Sequence, residues 1–136
     1  MTTQPIIVCL CGSTRFFEVF RRANFDETLM GKIVLTIGCD TRNDTDLFAT
    51  FTEAHRNRIK AELDELHLRK IDLADEVLIL NVGGYIGDST RAELHYARSL
   101  GKRIRFLEPP HDVARPIPAS RDEDDDVPGY LRGDLL

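Results

Sequence analysis

Residues 6–15 read Ile6-Ile7-Val8-Cys9-Leu10-Cys11-Gly12-Ser13-Thr14-Arg15, an apolar run that passes through one glycine into two hydroxyls and an arginine. Such a run, rich in Ile and Val with no alternation of polar and apolar residues, reads as a strand buried on both faces. The next segment has helical spacing: Phe16, Phe17, Phe20 and Ala23 share a face, and Gly31 stands where a helix would end. The same strand-then-helix grammar recurs downstream. Three more apolar runs lie at Lys32 to Ile37, Glu76 to Val82 and Arg103 to Leu107. Between them, Ile59, Leu63, Leu66 and Lys70 mark a long charged helix, and Ala92, Tyr96, Ala97 and Leu100 mark another, stopped by Gly101. Strands alternating with helices imply right-handed crossovers. The expected fold class is therefore α/β, a doubly wound parallel sheet of Rossmann or flavodoxin type, with four to five strands and helices on both faces.

At 136 residues the chain has the size of one domain. A domain over residues 1–108 is expected, followed from residue 109 by a tail containing Pro109, Pro110, Pro116 and Pro118 and the acidic run Asp122 to Asp126. That tail is either solvated, or its end, Tyr130 to Leu136, docks on the domain or on a neighbouring subunit. Forty-two per cent hydrophobic and 30% charged residues describe an ordinary globular chain. A formal charge of −5 and the lack of a basic stripe argue against duplex nucleic acid as a partner. No apolar stretch approaches the ~18 residues needed to cross a bilayer, and no signal segment opens the chain, so the expected location is the cytoplasm, with no membrane partner.

In a doubly wound sheet, ligands settle beyond the carboxyl ends of the strands, where strand order reverses. The loop after the first strand offers Gly12, Ser13 and Arg15: glycine allows close backbone approach, and the other two can bond to phosphate or ribose oxygens. Ser13 is equally well placed as a helix cap. After the third strand comes a glycine-bearing loop with Gly84, Tyr85, Gly87, Asp88, Ser89 and Thr90, again before a helix. Two such loops side by side would form one anion-binding crevice. The long connection from Gly38 to Ala49, with Asp40 and Arg42, is either mobile or part of that site.

Glu93 lies three, four and seven residues before Tyr96, Ala97 and Leu100, so it should face the sheet. The run Thr90-Arg91-Ala92-Glu93 also fits a capping box, in which Glu93 bonds back to the backbone of Thr90. His67 sits at the edge of the long helix's apolar stripe, a boundary residue or a proton shuttle. Asp72 and Asp75 precede the third strand. Cys9 and Cys11 share a strand face, which suits core packing better than a disulfide or a zinc cage. With Cys39 they make an odd number, and no HExxH, CxxC or P-loop pattern is present, so neither a metal ligand set nor a nucleotide-hydrolysing loop is expected.

Through Cys11-Gly12-Ser13-Thr14-Arg15, Ala74-Asp75-Glu76-Val77, Glu93-Leu94-His95-Tyr96-Ala97 and Gly101-Lys102, the sequence resembles the nucleoside 2-deoxyribosyltransferase superfamily. The nearest branch is the 2′-deoxynucleoside 5′-phosphate N-hydrolases, and the resemblance covers about residues 6–107. It implies a parallel five-stranded sheet, association into dimers or higher assemblies, and no metal or organic cofactor. It also implies that Glu93 attacks C1′ of the sugar and expels the base, with Ser13 and Arg15 holding the sugar or its phosphate. Cys9 stands where the family has a tyrosine, and Gly87 where it has serine or aspartate. For the second catalytic acid, Asp72 is the nearest match, while His67 occupies the equivalent surface.

The function expected on these grounds is cleavage, by hydrolysis or base transfer, of the N-glycosidic bond of a nucleoside or nucleoside 5′-monophosphate. Glu93 would be the nucleophile, with His67 or Asp72 assisting proton transfer. The alternative is a nucleotide-binding or sensing module that uses the same two loops and catalyses nothing.

Overall fold

A computed structural model describes residues 4–38 and 51–110 of the chain. The cysteine, aspartate and arginine at 39, 40 and 42, most of the long connection, and the tail from residue 111 lie outside the described residues.

The elements, in chain order, are β1 (Ile7–Cys11), α1 (Phe17–Leu29), β2 (Ile33–Leu35), α2 (Glu53–Leu73), β3 (Glu76–Ile79), α3 (Asp88–Ser99) and β4 (Arg103–Phe106), with 3₁₀ turns at Thr14–Phe16 and Val82–Gly84. The four strands form one parallel sheet in the order β2-β1-β3-β4. Val8 pairs with Val34 on one side and Glu76 on the other, and Val77 pairs with Ile104. The chain steps from β1 to β2 in one direction and from β2 through β3 to β4 in the other. Right-handed crossovers then require α1 on one face and α2 and α3 on the other.

The core confirms this division. Val8, Leu10, Leu78 and Leu80 pack with Phe20 and Ala23 of α1. Cys9, Cys11, Val77 and Ile79 point to the other face, where Ile71 of α2 and Leu94 and Ala97 of α3 cover them. β1 and β3 are therefore buried on both sides, which is why their sequences are apolar without alternation. β2, at the edge, is shorter than its apolar run and half exposed.

Glycine stops both short helices as their sequences indicate. Gly31 has φ +81° and Gly101 φ +72°. The residues after them close the helix ends, Lys32 N–H donating to Glu27 O and Lys102 N–H to Ala97 O.

At the amino end of the sheet, on the α1 face, two buried carboxylates meet two cations. Lys32 Nζ lies 3.2 Å from Glu27 Oε1 and 2.8 Å from Glu76 Oε1. Arg105 Nη2 bonds to Glu27 and, at 2.8 Å, to Glu76. The network ties α1, β3 and β4 to the turn before β2.

Among the described residues, no helix is long and apolar enough to cross a membrane.

Candidate functional site

The order β2-β1-β3-β4 places the reversal between β1 and β3, so the loops after these two strands flank the switch point. Their close approach has a specific cause. A Cβ on Gly12 would lie 3.0 Å from Leu80 Cβ and 3.4 Å from both Leu80 O and Phe20 Cζ. Leu80 N–H in turn donates to Cys11 O at 2.8 Å, carrying the ladder one step past the end of β3. Gly12 therefore serves contact between two segments of the chain. Gly12→Ala is expected to cost about 1–3 kcal/mol by overpacking, read as a lower urea midpoint.

Ser13 is buried and its Oγ accepts from Arg15 N–H at 3.3 Å, the capping arrangement that its position suggested. Arg15 reaches across to the second loop: its guanidinium lies 5.3 Å from the Tyr85 ring centre and 5.9 Å from that of Phe16. The two rings meet edge to face at 6.0 Å. Arg15 and Tyr85, proposed from separate loops, are thus neighbours.

The second loop turns on Gly83 and Gly84, at φ +63° and +84°, values that disfavour any side chain. It is held by Asn81, which is fully buried. The Asn81 amide accepts from Glu108 N–H and donates to Glu108 O, both at 3.0 Å, while the Glu108 carboxylate takes the Gly83 N–H at 2.8 Å. Gly87 is the N-cap of α3, Asp88 and Ser89 are its first two residues, and Thr90 is buried in its first turn.

Because α3 starts at Asp88, Thr90 is a helical residue and no capping box forms with Glu93. The Glu93 side chain turns to the sheet, as its spacing from Tyr96 and Ala97 indicated, and interacts there with Cys11 and His67. It lies 3.9 Å from His67 Nε2.

His67 is buried, at the centre of its stripe and not at the edge. The inward face of α2 runs Leu63, His67, Ile71, a four-residue step, whereas Leu66 points outward and is 50% exposed. His67 Nε2 lies 3.3 Å from Cys11 Sγ and 3.7 Å from Cys9 Sγ. Four reactive side chains, from β1, α2 and α3, therefore converge on one point beneath the carboxyl end of β1.

Burial and the neighbouring groups set their protonation together. Burial pushes the Glu93 carboxyl up to about 7, only partly countered by the His67 charge. His67 itself is held above its ordinary value, because the Cys9 thiol and the Glu93 charge outweigh a desolvation that favours the neutral ring. Of the thiols, Cys9 is drawn down to about 5 by the hydrogen bond from Cys11 against its burial, with His67 adding to the effect. Cys11, donor in that bond and buried beside Glu93, is raised well above the ordinary range.

Asp72 does not join this cluster. It lies in the last turn of α2, where the helix leads into the amino end of β3. There its carboxylate accepts from Tyr96 Oη at 2.6 Å and faces Arg69 Nε at 3.2 Å. Asp75 is similarly occupied, accepting from Ile7 N–H at 2.8 Å. The sequence alone did not assign the cysteine pair to the site: Cys9 and Cys11 are core residues, but they are also the nearest neighbours of His67 and Glu93. Their shared strand face was the available signal; the histidine that completes the group comes from 56 residues away.

Comparison of the chain with protein-family models, with curated proteins and with solved structures yields no match. Its architecture is the identification the chain carries: a small α/β domain built on a four-stranded parallel sheet.

Proposed function

We propose that the protein cleaves the N-glycosidic bond of a nucleoside or nucleoside 5′-monophosphate, with Glu93 as the nucleophile. The observation that carries this reading is a largely covered carboxylate 3.9 Å from an imidazole at the carboxyl end of β1, beneath the two switch-point loops. In the first step a Glu93 oxygen bonds to C1′ as the C1′–N bond breaks, the electron pair leaving with the base, which takes a proton from water. Water then hydrolyses the glycosyl ester, placing OH on the sugar and freeing Glu93. His67 acts here as the charge partner of Glu93: its Nε2 faces the carboxylate and two sulfurs, so it supports the ionised nucleophile. Asp72, engaged with Tyr96 and Arg69, has no part in the step.

The first loop and the start of α3 suit the polar end of the substrate. Gly12, Ser13 and Arg15 from one side and Gly84, Tyr85, Gly87, Asp88, Ser89 and Thr90 from the other would surround a sugar 5′-oxygen or phosphate. The Arg15 guanidinium, set beside Tyr85, supplies the positive charge.

The limited exposure of Glu93, whose side chain is largely covered, favours a second reading, a nucleotide-binding module without catalysis. Chromatography of a panel of nucleosides and 5′-nucleotides after incubation with the protein separates the two. Free base in the products supports cleavage. Nucleotide-dependent thermal stabilisation with every substrate left intact points to the binding module.

A further inference from the structure

We propose that Cys9 Sγ, Cys11 Sγ and His67 Nε2 form a site for a thiophilic divalent cation of the Zn²⁺ class, closed by the Glu93 carboxylate. The three donor atoms lie within 4.8 Å of one another, and all three residues are buried. Their spacing matches the coordination polyhedron. With a metal–sulfur bond of about 2.3 Å and a metal–nitrogen bond of about 2.0 Å, the sulfur–nitrogen edge of a tetrahedron is about 3.5 Å. The two observed edges, 3.3 and 3.7 Å, fall on either side of that value. The fourth corner faces Glu93, whose Oε2 is 3.9 Å from the imidazole nitrogen. A nitrogen–oxygen edge of about 3.3 Å requires a carboxylate shift of about half an ångström.

Donor type decides which metal fits. Two sulfurs and an imidazole select Zn²⁺, Co²⁺ or a softer ion and reject Mg²⁺ and Ca²⁺, which require oxygen ligands. Binding replaces the protons that the sulfurs and His67 Nε2 still carry, and these pass to solvent; the dication and two thiolates are neutral together, and the Glu93 carboxylate brings the closed site to one net negative charge. The ligands are also held in place beforehand. β1 is one of the two central strands, paired on both sides, which fixes the two sulfurs on one face at a two-residue spacing, and His67 is set by the packing of α2 through Ile71. Glu93, with its side chain 15% exposed, is the side from which an ion enters.

Metal loading also bears on the reaction proposed above, and this one consequence rests on that reading. A Glu93 carboxylate bound to the ion cannot attack C1′, so the loaded protein is the inactive form.

The test is titration of the full chain, freed of metal with a chelator and kept reduced, with Co²⁺. One equivalent is expected to produce the visible bands of tetrahedral cobalt together with a sulfur-to-cobalt charge-transfer band whose intensity corresponds to two thiolates. Zn²⁺ should bleach both, and Mg²⁺ neither. Cys39→Ser should keep the spectrum, whereas Cys11→Ser should lose most of the charge-transfer intensity. The wild-type intensity alone suffices should that variant fail to fold: no thiolate or one thiolate overturns the proposal, as does loss of the bands in Cys39→Ser. The spectrum does not depend on turnover, so failure to release base leaves this result intact, and the absence of cobalt bands says nothing against glycosidic cleavage.

Discussion

Glu93→Gln is expected to lose base release by roughly 10³-fold or more, because the amide is neutral and cannot form the glycosyl ester. The same variant is expected to be more stable than the native chain at pH 8. Burial raises the Glu93 carboxyl from 4.5 to about 7 in the folded protein. A group raised on folding contributes stability that is complete below its unfolded value and is lost as the pH rises through the folded value. At pH 8 the native protein thus bears the full cost of a buried carboxylate, on the order of 3 kcal/mol, from which Gln is free. Urea midpoints of both proteins in the presence of a chelator, at pH 5 and pH 8, check the point. The advantage of Gln should be large at pH 8 and nearly absent at pH 5. A variant that keeps its activity removes Glu93 as the nucleophile, and one less stable at pH 8 removes burial as the cause of its raised pKa.

The second large effect lies at the other end of the sheet. Glu76→Gln is expected to cost on the order of 3 kcal/mol, because Lys32 and Arg105 then share Glu27 alone in a largely buried network. The effect depends on pH in the opposite sense to that at Glu93. Burial pushes the Glu76 carboxyl up, but Lys32 and Arg105 together overcome this and hold it below 4.5. Its stabilisation is therefore complete above 4.5 and is lost as the pH falls through the lowered value. Acid titration of the unfolding free energy should show the native chain losing stability below about pH 4.5, while Glu76→Gln, already weakened, loses less. Base release should be unaffected in folded Glu76→Gln, since the network lies at the amino end of β3. Parallel loss of stability and activity at neutral pH would show the two ends of the sheet to be coupled.

The fold was legible because its two central strands are buried on both faces and their sequences say so. β2 was legible only in part. Lys32 to Ile37 is apolar enough for a long strand, but an edge position leaves it one neighbour, and pairing ends after Leu35. Helix registers were harder to read than helix existence. In α2 the charged residues outnumber the apolar ones, so Leu66 and His67 competed for the inward position, and packing against β1 gave it to the histidine. Glu93 stayed divided between cap and site because the first turn of α3, Asp88-Ser89-Thr90, offers three capping residues in a row. The helix takes none of the three as its N-cap and starts from Gly87. The approach of Cys9 and Cys11 to His67 is a tertiary fact, which one strand's spacing half discloses and local sequence cannot complete. Asp72 was chosen for its charge and its place before β3. That place is the amino end of the strand, a strand's length from the Glu93 and His67 pair beneath the carboxyl end of β1.

The contact of Gly12 with Leu80 has a consequence for how a ligand is received. A hydrogen bond joins the two segments directly beneath their loops, and a methyl group on Gly12 would force Leu80 to give way, so the bases of the two loops move as one. Under the function proposed above, a nucleotide would meet those bases already set side by side and would spend little entropy in ordering them.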